Sequence, residues 1–235
     1  MSIKVVLFDL DGTLLPMDQD TFMKTYFGSL AKRLAPHGYD PKLLVDAIWR
    51  GSYAMVKNDG SKTNEDVFWD AFEYAYGRDC RCDEKYFAEY YLYDFNNVQA
   101  ACGFNPLSKE IVYKLKEKGY RVALATNPLF PSMATERRIK WTGLMPEDFE
   151  LVTTYENSRH CKPNLDYYLD IVRELKVDPT ECLMVGNDVA EDMIARQLGM
   201  KVYLLTDCLL NKNNEDISSY PNGDLSGLLD YIEAL

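Results

Sequence analysis

The 235-residue sequence contains no apolar run that approaches the roughly 20 residues a bilayer span requires. Its first apolar stretch, residues 3–8, is short and is broken at once by Asp9 and Asp11. That reads as neither a signal peptide nor an anchor, and leaves a first β-strand. Positive charge is also scarce. The 26 Lys and Arg face 37 Asp and Glu, for a formal net charge of −11. Such a surface repels nucleic acid and acidic lipid at long range, so neither is an expected partner. A small phosphorylated ligand stays admissible, because a bound cation can reverse the field locally. Paired-cysteine motifs are missing. The six Cys are scattered, and Cys80 and Cys82 do not form a C-x-x-C spacing. With no secretory signal, the expectation is reduced thiols in a cytoplasmic protein. There is no internal repeat and no low-complexity tract.

Apolar residues make up 47% of the chain and charged residues 27%, the balance of a globular protein. The length suits one large domain or a core with a smaller insert. Residues 4–8, 121–126 and 182–185 are short apolar runs that stop at polar loops, and 150–154 and 201–205 are weaker ones. Residues 107–118 and 164–175 repeat apolar positions at a helical period. Short strands alternating with amphipathic helices predict a parallel sheet covered on both faces. The tail near residues 211–224 is polar and reads as a loop.

Residues 17–100 differ. They show no strand pattern and read as about four helices, near 18–35, 41–57, 63–77 and 83–97, with punctuation at Pro36-His37-Gly38, Asn58-Asp59-Gly60 and Gly77. Seventeen of the 30 Phe, Trp and Tyr fall in these 84 residues. That shift predicts a separate helical subdomain, whose aromatics form its core or line a substrate cavity.

The chemistry begins at Asp9-Leu10-Asp11-Gly12-Thr13. Two carboxylates two residues apart after a strand point the same way while the chain stays extended, and Gly12 then lets it turn. In an α/β sheet this lies beyond the carboxyl ends of the strands, where ligands bind. Two adjacent carboxylates repel unless a cation stands between them, and Mg²⁺ suits such an all-oxygen place.

This run resembles the first motif of the haloacid dehalogenase superfamily, whose members are mostly phosphatases. Three further matches follow in order. Thr126 in ALATNP resembles the second motif, Lys162 before Pro163 the third, and Gly186-Asn187-Asp188-Val189-Ala190-Glu191-Asp192 the acidic fourth. The resemblance implies that Asp9 attacks phosphorus to form an aspartyl-phosphate, with Asp11 as general acid and then base. It implies Mg²⁺ as cofactor, and phosphate contacts from Lys162, the Thr126 hydroxyl and the Asn127 backbone N–H. Relatives that remove halide lack the second aspartate, so Asp11 points to phosphoryl transfer. Caps inserted at this place in the superfamily cover the active site and select the substrate.

The fourth motif departs from the family pattern, in which an aspartate follows the glycine directly; here Asn187 does. Either Asp188 joins Asp9 and Asp11 as a metal ligand, with Asp192 supporting the site one turn on, or Asn187 offers its amide oxygen. In the second case Asp188 only caps a helix over 189–198 with Glu191 as its capping-box partner. The fold expected is an α/β, Rossmann-like parallel-sheet core of at least five strands (residues 1–16 and 101–235) with an inserted helical-bundle cap (17–100). Hinges are expected near 15–18 and 101–105, with Gly103 a pivot. The expected substrate is a small phosphorylated metabolite, handled by a monomer or homodimer. A phosphosugar mutase, or a non-catalytic interaction protein keeping the fold, are the alternatives.

Overall fold

A computed structural model describes residues 2–234. Five strands form one parallel sheet in the order β2-β1-β3-β4-β5: β1 (Val5–Phe8), β2 (Arg121–Leu124), β3 (Cys182–Gly186), β4 (Lys201–Leu205) and β5 (Asn222–Gly223). β1 lies between β2 and β3, in register with Val5 opposite both Arg121 and Cys182. The chain therefore leaves β1 to one side and returns on the other, which opens a crevice at the carboxyl ends of β1 and β3.

Alternation along the strands sends successive side chains to opposite faces. Val6 and Phe8 join one core cluster, whereas Val5 and Leu7 join another with Tyr167, Tyr168 and Ile171. The first cluster runs on into the helical insert. It holds Ile111 and Leu115 of α5 (Pro106–Glu117) together with Phe22, Tyr26, Trp69, Phe72 and Phe95. Most of the aromatic enrichment is thus packed as core.

The insert begins with α1 (Gln19–Leu34), α2 (Pro41–Val56) and α3 (Asn64–Tyr76). Each start is fixed by a side-chain cap: Asp18, Asp40 and Thr63 accept from backbone N–H groups of the first turn. The fourth predicted helix is broken. It comprises α4 (Glu84–Glu89), a π turn (Tyr90–Asp94) and a 3₁₀ stretch (Phe95–Ala101). The two connections to the core run side by side, with Met17 bridged antiparallel to Cys102 and Gly103 N donating to Pro16 O at 2.7 Å. A Cβ on Gly103 would come within 3.1 Å of Pro16 Cβ, so close approach of the connections explains this glycine.

Three sequence expectations are corrected. Residues 150–154 follow the edge of β2, through bonds such as Leu124 N to Leu151 O, but form only an isolated bridge at Val152. The fifth strand is instead β5, in the tail expected to be loop, followed by α8 (Leu225–Glu233). The run 189–198 is not one helix: a turn precedes a 3₁₀ helix at Met193–Leu198. Helices α6 (Ser132–Trp141) and α7 (Leu165–Leu175) complete the fold. No helix among the described residues is long and apolar enough to cross a membrane.

Candidate active site

Asp9 stands one residue beyond β1 and is 8% exposed. Its backbone N–H still donates to Val185 O of β3, at 2.9 Å, which fixes the strand tip. The chain then reverses tightly. Gly12 has φ +85, in the left-handed region that glycine tolerates, and a Cβ there would lie 2.4 Å from Asn187 Nδ2. Glycine is needed for both the turn and the approach of Asn187.

Lys162 is almost fully buried and donates to Asp9 Oδ1 at 2.8 Å and to Asp192 Oδ1 at 2.7 Å. Burial opposes its charge, but Asp192 and Asp9 outweigh that and hold its pKa well above the ordinary lysine value. Burial raises Asp192 in turn, against the pull of Lys162. Asp192 reaches this place because Gly186 has no side chain: a Cβ there would lie 2.1 Å from Asp192 Oδ2.

Asp11 pairs with Arg138 of α6 through Oδ2, while its Oδ1 is buried without a hydrogen-bond partner among the described residues. Arg138 is 1% exposed, lies 4.4 Å over the Phe130 ring and also donates to Thr135 Oγ1. Burial raises the Asp11 pKa; Arg138 lowers it in part and Asp9 raises it further.

The loop after β2 carries Thr126 and Asn127. Thr126 O accepts from Thr153 Oγ1 (2.7 Å) and Tyr167 OH (2.8 Å), so the loop is held from beneath. Asn127 Nδ2 donates to Glu191 Oε2 at 2.9 Å. Burial pushes Glu191 up to about 7. Glu191 is therefore not the capping-box partner of Asp188. Asp188 Oδ1 accepts from Ala190 N and Glu191 N, but the Asp188 N–H donates to Asp192 Oδ2. Asn187 is engaged at both ends: Thr13 Oγ1 donates to its Oδ1 at 2.9 Å, and its Nδ2 donates to Cys208 O at 2.7 Å.

Asp9, Asp11, Thr126, Asn127, Asn187, Asp188 and Asp192 line one cavity of about 460 Å³ between the strand ends and the helical insert. Lys162 meets it through Asp9. Among the described residues, no three His, Cys, Asp or Glu side chains gather into a metal-binding cluster.

Residues 3–207 match the haloacid dehalogenase-like hydrolase family. The chain belongs to this family. It resembles the pyrophosphatase PpaX of Bacillus cereus, at 26% identity over 202 residues, with 86% of this chain and 82% of that protein covered. The bifunctional riboflavin kinase/FMN phosphatase of Arabidopsis thaliana is 27% identical over 201 residues, with 84% of this chain and 47% of that protein covered. The chain spans about half the length of the first curated relatives it matches. Among solved structures, an HAD phosphatase from Thermococcus onnurineus superposes with a TM-score of 0.60 at 20% identity, covering 98% of both chains. A 2-haloacid dehalogenase from Pseudomonas syringae gives 0.63 at 21% identity, covering 99% and 98%. At these identities the structures establish the shared fold.

Within this haloacid dehalogenase-like site, sequence reading misses Arg138, and it names Thr13, Gly186 and Tyr168 without giving them a role in the site. Arg138 carries no signal, because an arginine in a helix reads as solvated. Gly186 does carry one, as a glycine ending a buried strand. Tyr168, read as part of an apolar helix face, donates to Glu191 O at 2.6 Å.

Proposed function

We propose that this hydrolase is a Mg²⁺-dependent phosphatase that cleaves a small soluble phosphomonoester through an aspartyl-phosphate on Asp9. The observation that carries this reading is a strand-tip aspartate bonded to a buried lysine and facing an enclosed cavity, with a second aspartate beside it anchored by Arg138.

The charge balance supports a metal. Five carboxylates (Asp9, Asp11, Asp188, Glu191, Asp192) stand at this end of the cavity, against Lys162, Arg138 and Lys212. A phosphate dianion is repelled there unless further positive charge accompanies it. Asp9, Asp11 and Asp188 offer oxygen ligands, and the buried Asp11 Oδ1 has no protein partner. Such a set fits Mg²⁺, which commonly takes one or two carboxylates and keeps waters, so a cluster of three is not required. Asp188 is the better fourth-motif ligand, since both ends of the Asn187 amide are engaged. Bound there, Mg²⁺ would supply charge stabilisation to the phosphoryl oxygens.

The side chains divide the remaining work. Asp9 attacks phosphorus, and the bond from phosphorus to the alcohol oxygen breaks as Asp11 gives that oxygen a proton. Asp11 then takes a proton from water, which attacks the aspartyl-phosphate and releases inorganic phosphate and free Asp9. Lys162 holds Asp9 in place and offsets charge on the phosphoryl group, with Thr126 and Asn127 as neutral donors. The helical insert acts as a cap that keeps bulk water from the ester. Repeated Mg²⁺-dependent turnover of p-nitrophenyl phosphate, lost in Asp9→Asn, is the expected result. No turnover with or without Mg²⁺ would overturn the proposal.

A further inference from the structure

We propose that the substrate's alcohol portion carries an ammonium group, which the helical wall of the cavity recognises. This rests on the phosphatase reading and narrows it. Away from the strand ends, the cavity is walled by rings: Phe68 joins Trp69 (centroids 5.5 Å) and Tyr155 (6.2 Å). Three carboxylates share this wall, Glu65, Glu84 and Glu156. Glu65 is set beside Tyr155 by its own backbone N–H, which donates to Tyr155 O at 2.9 Å.

The carboxylates are not equivalent. Glu156 is used structurally, accepting from Ser132 N and Ser132 Oγ at the start of α6. The side chains of Glu65 and Glu84 have no hydrogen-bond or ion-pair partner among the described residues. Burial and the charge of Glu156 raise the pKa of Glu65, and the opposing pull of Arg81 only partly offsets them. Among the described residues, Lys212 is the one Lys or Arg on the cavity lining, and it follows Leu210, which pairs with Asn187 and Val189 at the strand ends. Arg81 reaches this wall from outside, with its guanidinium 5.8 Å from the Trp69 ring centroid, but it is tied to Asp66 at 2.8 Å and is not part of the lining.

A second, independent feature points to an occupant with polar atoms. Trp69 is 2% exposed and lines the cavity, and its Nε1–H lies by the Tyr155 side chain without closing a hydrogen bond of good geometry among the described residues. Aromatic faces and unpaired carboxylates together select an organic cation. The Trp69 N–H adds a place for an oxygen on the same molecule. A carboxylate or second phosphate on the alcohol side meets three like charges and is disfavoured. A volume of about 460 Å³ admits groups from an ethanolamine to a hexosamine.

The test compares kcat/KM within pairs of esters matched in shape but not charge, at pH 7 with Mg²⁺. The pairs are 2-aminoethyl against 2-hydroxyethyl phosphate, choline phosphate against 3,3-dimethylbutyl phosphate, and glucosamine 6-phosphate against glucose 6-phosphate. In at least one pair the ammonium ester is expected to be preferred tenfold or more, and Glu65→Gln is expected to reduce that ratio at least threefold. Glu84→Gln serves as a second variant should the first not fold. The proposal is overturned if the neutral ester is as good or better in every pair, or if the ratio survives both substitutions. It is also overturned if p-nitrophenyl phosphate is hydrolysed and no ammonium ester is. Loss of all turnover, p-nitrophenyl phosphate included, would instead remove the phosphatase reading beneath it.

Discussion

Arg138, buried on α6, holds one oxygen of the Asp11 carboxylate and leaves the other without a protein partner. The two residues lie 127 positions apart in sequence, yet the pair fixes the Asp11 carboxylate by one of its oxygens. A buried ion pair of this kind is weak evidence for stability and better read as fixing a geometry. Here the geometry is that of the residue proposed to carry the leaving-group proton.

Replacing Arg138 by Met should therefore act on catalysis with a recognisable pattern. Turnover of an alkyl phosphate, which needs a proton on its leaving oxygen, should fall at least tenfold more than turnover of p-nitrophenyl phosphate. Because Arg138 lowers the Asp11 pKa, its loss should also move the alkaline limb of the kcat profile to higher pH. Arg138→Lys should restore part of both. Equal losses on the two substrates would point to a merely structural arginine.

Glu191 gives a stability test with a definite sign. Its pKa rises on folding from the ordinary 4.5 to about 7, so the folded state favours its protonated form. The stabilisation is complete below about pH 4.5 and is lost as pH climbs through about 7. Its size is on the order of 2 kcal/mol after allowing for partial exposure to the cavity. In metal-free buffer, Glu191→Gln should flatten the fall in unfolding free energy across that window. A slope unchanged by the substitution would contradict the assignment.

The metal reading separates the two fourth-motif neighbours. EDTA should abolish turnover and Mg²⁺ restore it. Asp188→Asn should raise the Mg²⁺ needed for half-maximal activity at least tenfold. Asn187→Ala should mainly lower stability, by about 1–2 kcal/mol, because Thr13 and Cys208 lose partners. The opposite pattern would make Asn187 the ligand.

Gly186→Ala tests how closely Asp192 must approach the strand end. A methyl group there overlaps the Asp192 carboxylate. Asp192 must move, and Lys162 then loses one of its two carboxylate partners. Turnover should fall by an order of magnitude or more while the circular dichroism spectrum is kept. Unchanged kinetics would show that Asp192 has no part in placing Lys162.

What the sequence discloses follows from how local each signal is. The strand before Asp9, the turn at Gly12 and the approximate spans of the first three helices depend on neighbours in the chain, and they were legible; their caps at Asp18, Asp40 and Thr63 emerge only with the structure. The fork of Lys162 between Asp9 and Asp192 depends on β1 and β3 being adjacent, which no local pattern states. α6 escaped notice because its buried face includes Thr135 and Arg138, which break the apolar repeat. Residues 150–154 read as a strand from their composition, yet they pair with the β2 edge without forming a ladder. β5 is two residues long in a polar tail, too short for a periodic signal. The Asp188–Glu191 spacing suggested a capping box, but Glu191 is drawn to Asn127 and Asp192 takes its place.

The most direct test is to catch the covalent intermediate. An Asp11→Asn variant mixed with substrate and Mg²⁺, then quenched in acid, should show the mass of one added phosphoryl group, mapped by peptide mass spectrometry to Asp9. The label should be absent when Asp9→Asn is added. A phosphoryl group on any other residue, or steady hydrolysis by Asp9→Asn at the wild-type rate, would contradict the account.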